Sequence, residues 1–278
     1  MSSFELTYAT MFDPPEELHS AFEHALDKKQ GELGETVGML INGEDRFAEH
    51  TFKKTNPTRP DQVLAHFQTG TAGDADRAVA AAREAFPDWK RTPWQERIAL
   101  IRKAADVIDR RIFEMAAVTT LEVGKNRLEA LGDVAEAPAL LRYAADQMEA
   151  HDGFVNEMGQ DPLQGYQATN YSLLRPYGVW LVISPFNFPA ALTGGPVGAA
   201  LAAGNTVVMK PASATPWTVR LLAESFQEAG FPPGVVNYVT GSGSVLGQAL
   251  IDHPQVDGVT FTGSYDVGMS VYRQFAQR

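Results

Sequence analysis

Residues 178–196 read GVWLVISPFNFPAALTGGP, an apolar run suited to a buried strand that stops at Pro185 and then delivers Asn187 between Pro185 and Pro189. Proline fixes φ, so a proline on each side holds the intervening backbone and presents the amide side chain in one place. Asparagine also serves ordinary turns, and the tripeptide alone leaves both uses open. Three further polar features follow β-branched runs downstream: Lys210 after TVVMK, GSGS at 241–244 after VVNYV, and Gly263-Ser264 after GVTFT. A lysine before Pro211 is commonly a solvated strand end. TGSGSVLG has Gly241, Gly243 and Gly247 but lacks the G-x-G-x-x-G spacing of a dinucleotide fingerprint. A helix beginning at Ser244 still offers free amides and a positive dipole end to an anion. Convergence is what gives these residues weight, since in a parallel sheet all of them gather beyond the carboxyl ends of the strands, where ligands bind.

The elements that position them alternate. After Gly178, VWLVIS leads to a helix over 190–203, TVVMK to one over 216–229, VVNYV to one over 244–251 and GVTFT to one over 265–276. This rhythm predicts an α/β fold with a doubly wound parallel sheet covered on both faces. The first 176 residues read differently. PPEELHSAFEHALDKKQG predicts a surface helix ended by Gly31, and MLINGEDRF a hairpin turning at Asn42-Gly43 within a small β element over 37–71. GDADRAVAAAREAFPDW predicts a helix capped by Asp74 or Asp76. Ile98, Ile101, Ala105, Ile108, Ile112 and Met115 fall on one stripe of a helix closed by Gly124, and a second long helix follows to 150. Asp106, Asp109 and Glu114 beside Arg102, Lys103, Arg110 and Arg111 predict a solvated, salt-bridged face. Residues 151–176 are polar and turn-rich, with a strand near their end. The expected division is 1–176, mixed and mostly helical, and 177–278, doubly wound.

The totals exclude several classes. With 278 residues, 44% hydrophobic and 21% charged, the chain has the composition of a globular protein with a substantial core. A formal net charge of −11 speaks against nucleic acid and against anionic membrane surfaces as partners. There is no cysteine, which rules out disulfides, zinc–thiolate sites, iron–sulfur clusters and a thiol nucleophile within these residues. His19 and His24 lack the i, i+4 spacing of a helical metal pair, so no metal is expected. The opening MSSFELTYATMFDPPEEL has neither the basic flank nor the apolar core of a leader, and no apolar run approaches membrane-spanning length. The cytoplasm is the expected compartment.

PFNFP, GNTVVMKP, AGFPPGVVNYVTGSG and GVTFTGS, in this order and spacing, resemble the aldehyde dehydrogenase superfamily, and the likeness runs from the INGE hairpin to the C-terminus. LEVGKNRLEALGDVAEA at 121–137, with Phe188 directly after the asparagine, is most similar to the delta-1-pyrroline-5-carboxylate dehydrogenase branch, which oxidises L-glutamate gamma-semialdehyde in proline catabolism. The resemblance implies a Rossmann-like cofactor domain, a catalytic domain and an oligomerisation flap whose first part lies within 1–176. It implies an aldehyde substrate, NAD or NADP as hydride acceptor, a cysteine thiohemiacetal and thioester, and a homo-oligomer at full length. It further implies roles for single residues. Asn187 is the oxyanion donor. Ser184, Pro185, Phe186, Lys210, Ser213, Gly243, Ser244, Gly247, Gly263 and Ser264 line the cofactor site, with Lys210 on the adenosine ribose. Glu136 and Phe188 line the substrate channel, although Glu136 also reads as an ordinary solvated helix carboxylate.

Two departures from the family pattern carry consequences. NAD-preferring members place a glutamate three residues after the lysine, where this chain has Ser213, which opens the site to NADP. The chain also ends at VYRQFAQR, ahead of the family's ELGG glutamate and its nucleophile segment, so the catalytic domain is expected beyond Arg278 and this piece alone is expected to be inactive. Another semialdehyde or betaine-aldehyde dehydrogenase, and a catalytically inactive nucleotide-binding or assembly protein, remain as alternatives.

Overall fold

The structure is a computed structural model that describes residues 14–277, so the reading of the opening stretch as lacking a leader falls largely outside it. In chain order the elements are α1 (Glu16–Gln30), β1 (Glu35–Val37), β2 (Met39–Ile41), β3 (Glu44–Arg46), β4 (Thr51–Asn56), β5 (Arg59–Gln68), α2 (Ala72–Trp89), α3 (Trp94–Arg110), α4 (Ile112–Val123), α5 (Arg127–Ala150), β6 (Val155–Met158), β7 (Asn170–Leu173), β8 (Val179–Ile183), α6 (Ala191–Ala202), β9 (Thr206–Lys210), α7 (Pro216–Ala229), β10 (Val236–Tyr238), α8 (Gln248–Asp252), β11 (Gly258–Phe261) and α9 (Tyr265–Phe275).

The fold is α/β and Rossmann-like. A six-stranded sheet has the order β11-β8-β9-β10-β2-β3, and its first four strands are parallel. Each of these strands is followed by a helix, as a right-handed crossover requires. Alternate side chains feed two cores. Val182, Val207, Met209, Val236 and Tyr238 pack toward α3–α7, whereas Val179, Leu181, Val208 and Val239 pack toward α2, α8 and α9. A sheet clothed on both faces explains why β9 is buried at all five positions.

Several sequence expectations are corrected. Residues 37–71 do not form one β element. The hairpin turns at Asn42 and Gly43, both at positive φ (55° and 78°), as a primed turn demands, but its strand β2 joins the main sheet antiparallel to β10. Strand β5 pairs instead with β1 and β4 in a separate three-stranded sheet. The cap of α2 is Thr71 rather than Asp74 or Asp76. Asp74 is the third helical residue, and its carboxylate accepts from the Thr71 N–H and hydroxyl, both at 2.8 Å, in a capping box. The single stripe predicted over 98–115 bends at Arg111 (φ −97°, ψ 9°), which separates α3 from α4. Arg111 does not belong to a solvated face either: its half-buried guanidinium reaches Glu114 at 2.9 Å and Glu224 of α7 at 3.0 Å. The chain after β10 forms a five-residue π-turn, Gly243–Gly247, ahead of a short α8. Its cap is Ser242, whose hydroxyl accepts from the Val245 N–H at 3.2 Å, so the turn opens one residue ahead of the helix start expected at Ser244.

Among the described residues no helix is long and apolar enough to cross a membrane. In the hairpin β6–β7 every residue of both strands is exposed.

Candidate functional site at the strand ends

Register aligns the carboxyl ends of the parallel strands. Ile183 of β8 sits opposite both Lys210 of β9 and Phe261 of β11, and Met209 sits opposite Tyr238 of β10. The residues following these positions therefore share one edge of the sheet: 184–189, Lys210–Ser213, the π-turn, and Gly263-Ser264. Beyond β8 the chain enters α6 on one face of the sheet, whereas beyond β11 it enters α9 on the other. The two helices belong to separate cores, and in open α/β sheets ligands bind beyond the strand ends where the connections switch faces.

In the loop after β8, Ser184 is buried and its hydroxyl has no hydrogen-bond partner among the described residues. Pro185 is half-buried, while Phe186, Asn187 and Phe188 are exposed. Pro189 and Ala190 are buried again, so the loop is held at both ends and offers three side chains outward.

Lys210 is 5% exposed and its ammonium donates to the Pro211 carbonyl at 3.0 Å. Burial without a carboxylate partner lowers its pKa to about 8. A Cβ at Gly247 would lie 3.3 Å from the lysine Cε, so glycine there gives the side chain its passage beneath the π-turn. Gly243 opens onto free space, and Gly243 and Ser244 are exposed. Ser213 is exposed, with its hydroxyl 3.4 Å from the Gly241 carbonyl. Gly263 and Ser264 are exposed at the start of α9. An enclosed amine and an orphaned hydroxyl on one sheet edge, beside a glycine turn with room above it, fit a polyhydroxylated, phosphate-bearing ligand such as a dinucleotide.

Glu136 lies exposed on α5 and Phe188 is 37% exposed. Lys125 links them: its ammonium sits 3.4 Å from the centroid of the Phe188 ring, within the electrostatic reach of Asp133, Glu129 and Glu136. That ammonium nitrogen is buried and has no hydrogen-bond partner among the described residues. Burial lowers its pKa, and the three carboxylates resist the shift.

Three residues of this neighbourhood escape a reading of types and spacing. Besides Lys125, they are Asp133 and Glu122, two buried carboxylates that serve the helices behind the site loops. Asp133 accepts from the Ala191 N–H at 3.0 Å and the Ala190 N–H at 3.4 Å, at the start of α6. Glu122 accepts from the N–H groups of Trp217 and Thr218 and from the Thr218 hydroxyl, each at 2.7 Å, at the start of α7. Burial pushes the Glu122 carboxyl up to about 7 and the Asp133 carboxyl up to about 6. A signal was available, because both acids occupy positions on otherwise apolar stripes: Glu122 four residues after Val118, and Asp133 between Ala130 and Ala137.

Comparison with known proteins gives a consistent result. The sequence profile of the aldehyde dehydrogenase family matches residues 45–278. A 1-pyrroline-5-carboxylate dehydrogenase of Geobacillus sp. (strain WCH70) is 39% identical over 258 residues, 92% of this chain and 49% of the relative. 1-Pyrroline-5-carboxylate dehydrogenase 1 of Halalkalibacterium halodurans is 40% identical over 256 residues, again 92% and 49%. The solved structure of the Thermus 1-pyrroline-5-carboxylate dehydrogenase with bound NAD superposes with a TM-score of 0.89 at 34% identity, covering 99% of this chain and 52% of that one. The chain thus spans about half the length of the curated relatives it matches.

Proposed function

Because this chain belongs to the aldehyde dehydrogenase family, we propose that it is the part of an NAD(P)-dependent aldehyde dehydrogenase that binds the cofactor and presents the oxyanion donor, acting on L-glutamate gamma-semialdehyde. The observation that carries this reading is the common edge formed by Asn187, Lys210, the Gly243–Gly247 turn and Ser264. The identity of about 40% to enzymes named for pyrroline-5-carboxylate supports the substrate. NAD(P)+, when bound, accepts the hydride.

The chain's own residues have separable tasks in this reading. Lys210 offers its ammonium to the ribose hydroxyls, exchanging the Pro211 carbonyl for them. The Ser184 hydroxyl, Ser264 and the amides about Gly243 and Ser244 hold the rest of the nucleotide along the edge, with Pro185, Phe186, Gly247 and Gly263 shaping the floor. Ser213 brings no negative charge, so a 2′-phosphate meets no repulsion there and both NAD and NADP are accepted. Asn187 donates its side-chain N–H to the aldehyde oxygen as charge gathers there, which is worth about 3 kcal/mol in the transition state for one such donor. Phe188 and Glu136 border the substrate. Residues 1–176 act as the mixed helical support and 177–278 as the nucleotide-binding region, although β2 and β3 of the first lie in the sheet of the second. The exposed hairpin β6–β7, with Val155, Met158, Tyr171 and Leu173 at its surface, suits a flap for a second copy.

Titration of the 278-residue chain with NAD+ and NADP+, followed by tryptophan fluorescence or calorimetry, tests the cofactor reading. Saturable binding of both is expected, weakened about tenfold or more in Lys210→Met by loss of a charge-assisted hydrogen bond. Failure of either nucleotide to bind overturns it. Lacking cysteine, the same chain is expected to form no NAD(P)H from aldehyde, and steady aldehyde-dependent NAD(P)H production would overturn that part. In a protein extended to the relatives' length, glutamate gamma-semialdehyde oxidised no better than simple aliphatic aldehydes would remove the substrate assignment.

A further inference from the structure

The loop that carries Asn187 is gripped from outside by two side chains of the preceding helical region. Asp133 of α5 is wholly buried, and its two carboxylate oxygens take the first amides of α6, those of Ala190 and Ala191. These amides are among those a helix leaves without partners, and here the acceptor comes from another helix. Lys125, in the turn between α4 and α5, lays its ammonium on the Phe188 ring. Gly124 makes that placement possible: it ends α4 at φ 82°, a left-handed conformation that turns the chain so that Lys125 follows at once. Within 187–191 only Asn187 is exposed with neither grip on it, and it lies one residue ahead of the ring held by Lys125 and three ahead of the first amide held by Asp133.

We infer that Asp133 and Lys125 are positioning residues for Asn187, a two-point clamp that sets where its amide points. The inference rests on the reading of Asn187 as the oxyanion donor. Such a donor is effective only where its N–H meets the position the charged oxygen will occupy. Prolines 185 and 189 limit the backbone within the loop, and buried Pro189 packs its far end, but neither has an N–H through which the preceding helical region could hold it. The clamp supplies that anchor, and it couples the loop to α5, the helix that also carries Glu136. The Lys125 ammonium, lacking a hydrogen-bonded carboxylate, remains available to the ring, and its attraction to an aromatic face strengthens with desolvation.

Hydrogen exchange and NMR on the intact 278-residue chain test the clamp. Asp133→Ala is expected to speed exchange of the Ala190 and Ala191 amides by about tenfold or more, the effect of losing hydrogen bonds to a charged acceptor. Amides of β8 and β9 should keep their rates, which a general loss of stability would not allow. Asp133→Asn, with one acceptor oxygen left, should fall between, and it decides the matter if the alanine variant does not fold. For Lys125, a 4-fluorophenylalanine placed at 188 is expected to show a displaced fluorine line in Lys125→Met and a retained one in Lys125→Arg. The Asn187 side-chain amide resonance, identified by its loss in Asn187→Ala, should move in both Asp133→Asn and Lys125→Met. Unchanged exchange at 190 and 191 in a folded Asp133 variant, or an Asn187 resonance indifferent to both substitutions, overturns the clamp. Absence of nucleotide binding by a chain that passes these tests would instead sink the functional reading and leave the clamp standing.

Discussion

The entrances to α6 and α7 use the same device with different results. Each helix starts just beyond a loop of the candidate site, and each receives a buried carboxylate from the helical region at its first free amides. At α7, Glu122 is held by three donors at 2.7 Å, and the preceding chain from Lys210 to Pro211 is itself buried. At α6, Asp133 holds two amides at 3.0 and 3.4 Å, and the preceding loop leaves Phe186 and Phe188 58% and 37% exposed beside Asn187. The lysine is thus enclosed within these residues, although Ser213 and Ala214 between it and α7 are exposed, whereas the asparagine loop is anchored at its base and open above. Buried carboxylates fix where the backbone of a site begins, but how enclosed that site becomes depends on what packs over the loop.

The largest test of this contrast is to remove the tighter cap. Glu122→Ala leaves two buried amides and a hydroxyl without an acceptor, and is expected to lower stability by about 3 kcal/mol or more in urea unfolding. A loss smaller than that of Asp133→Ala would reverse the ranking of the two entrances.

The next test uses protons. Glu122 titrates near 4.5 when unfolded and at about 7 when folded. Between those values the folded chain holds the extra proton, so this group's contribution is fully present below pH 4.5 and is lost as pH rises through 7. Relative to Glu122→Gln, the wild-type chain should therefore lose about 3 kcal/mol of stability over that window. A difference independent of pH would mean that Glu122 is ionised throughout and that its three donors outweigh its burial.

Lys210 gives a smaller effect on binding. Its ammonium is lost at about pH 8 in the free chain, so nucleotide affinity should decline by about tenfold as pH rises from 7 to 9. Lys210→Met should bind weakly and without that slope. An identical slope in the variant would place the titrating group elsewhere on the edge.

The smallest effect serves as the control. Arg102 of α3 bridges Asp146 and Glu149 of α5 at 2.7 and 2.6 Å on the exposed surface. Arg102→Ala should change stability by no more than about 1 kcal/mol, since exposed pairs are screened and cost side-chain entropy. A larger loss would mean that surface pairing between α3 and α5 contributes to stability on the scale of the buried caps.

Much of the fold was legible because its signals are local. The β-branched runs at 179–183 and 206–210 and the helix over 216–229 match their observed bounds almost residue for residue. Asn42-Gly43 announced its hairpin through a backbone requirement few residues meet. The strand partner of that hairpin was not legible, because β2 meets β10 nearly two hundred residues later and nothing in either run names the other. The bend at Arg111 was missed for a related reason. Periodicity records which face is buried, not that α7 waits nearby with Glu224 to receive the guanidinium. The strand-end residues could be enumerated from composition and order, and the family resemblance attached roles to them. Their supports were less legible: Glu122 and Asp133 stand on otherwise apolar stripes, which marks them as buried, but only the structure shows that they and Lys125 meet 188–191 and 217–218.

By itself, then, the sequence determined the alternation of strands and helices, the absence of a thiol, the proline-held asparagine and the family to which these patterns belong. All of these follow from residue type and short-range spacing, which local sterics and hydrophobic periodicity translate directly into elements. Tertiary structure alone decided that β2 closes on β10, that Lys210 is enclosed enough to titrate near 8, and that two acids are stripped of water to cap helices they do not belong to. Those outcomes depend on desolvation and on partners distant in the chain, and burial is a property of the packed whole that no single stretch contains.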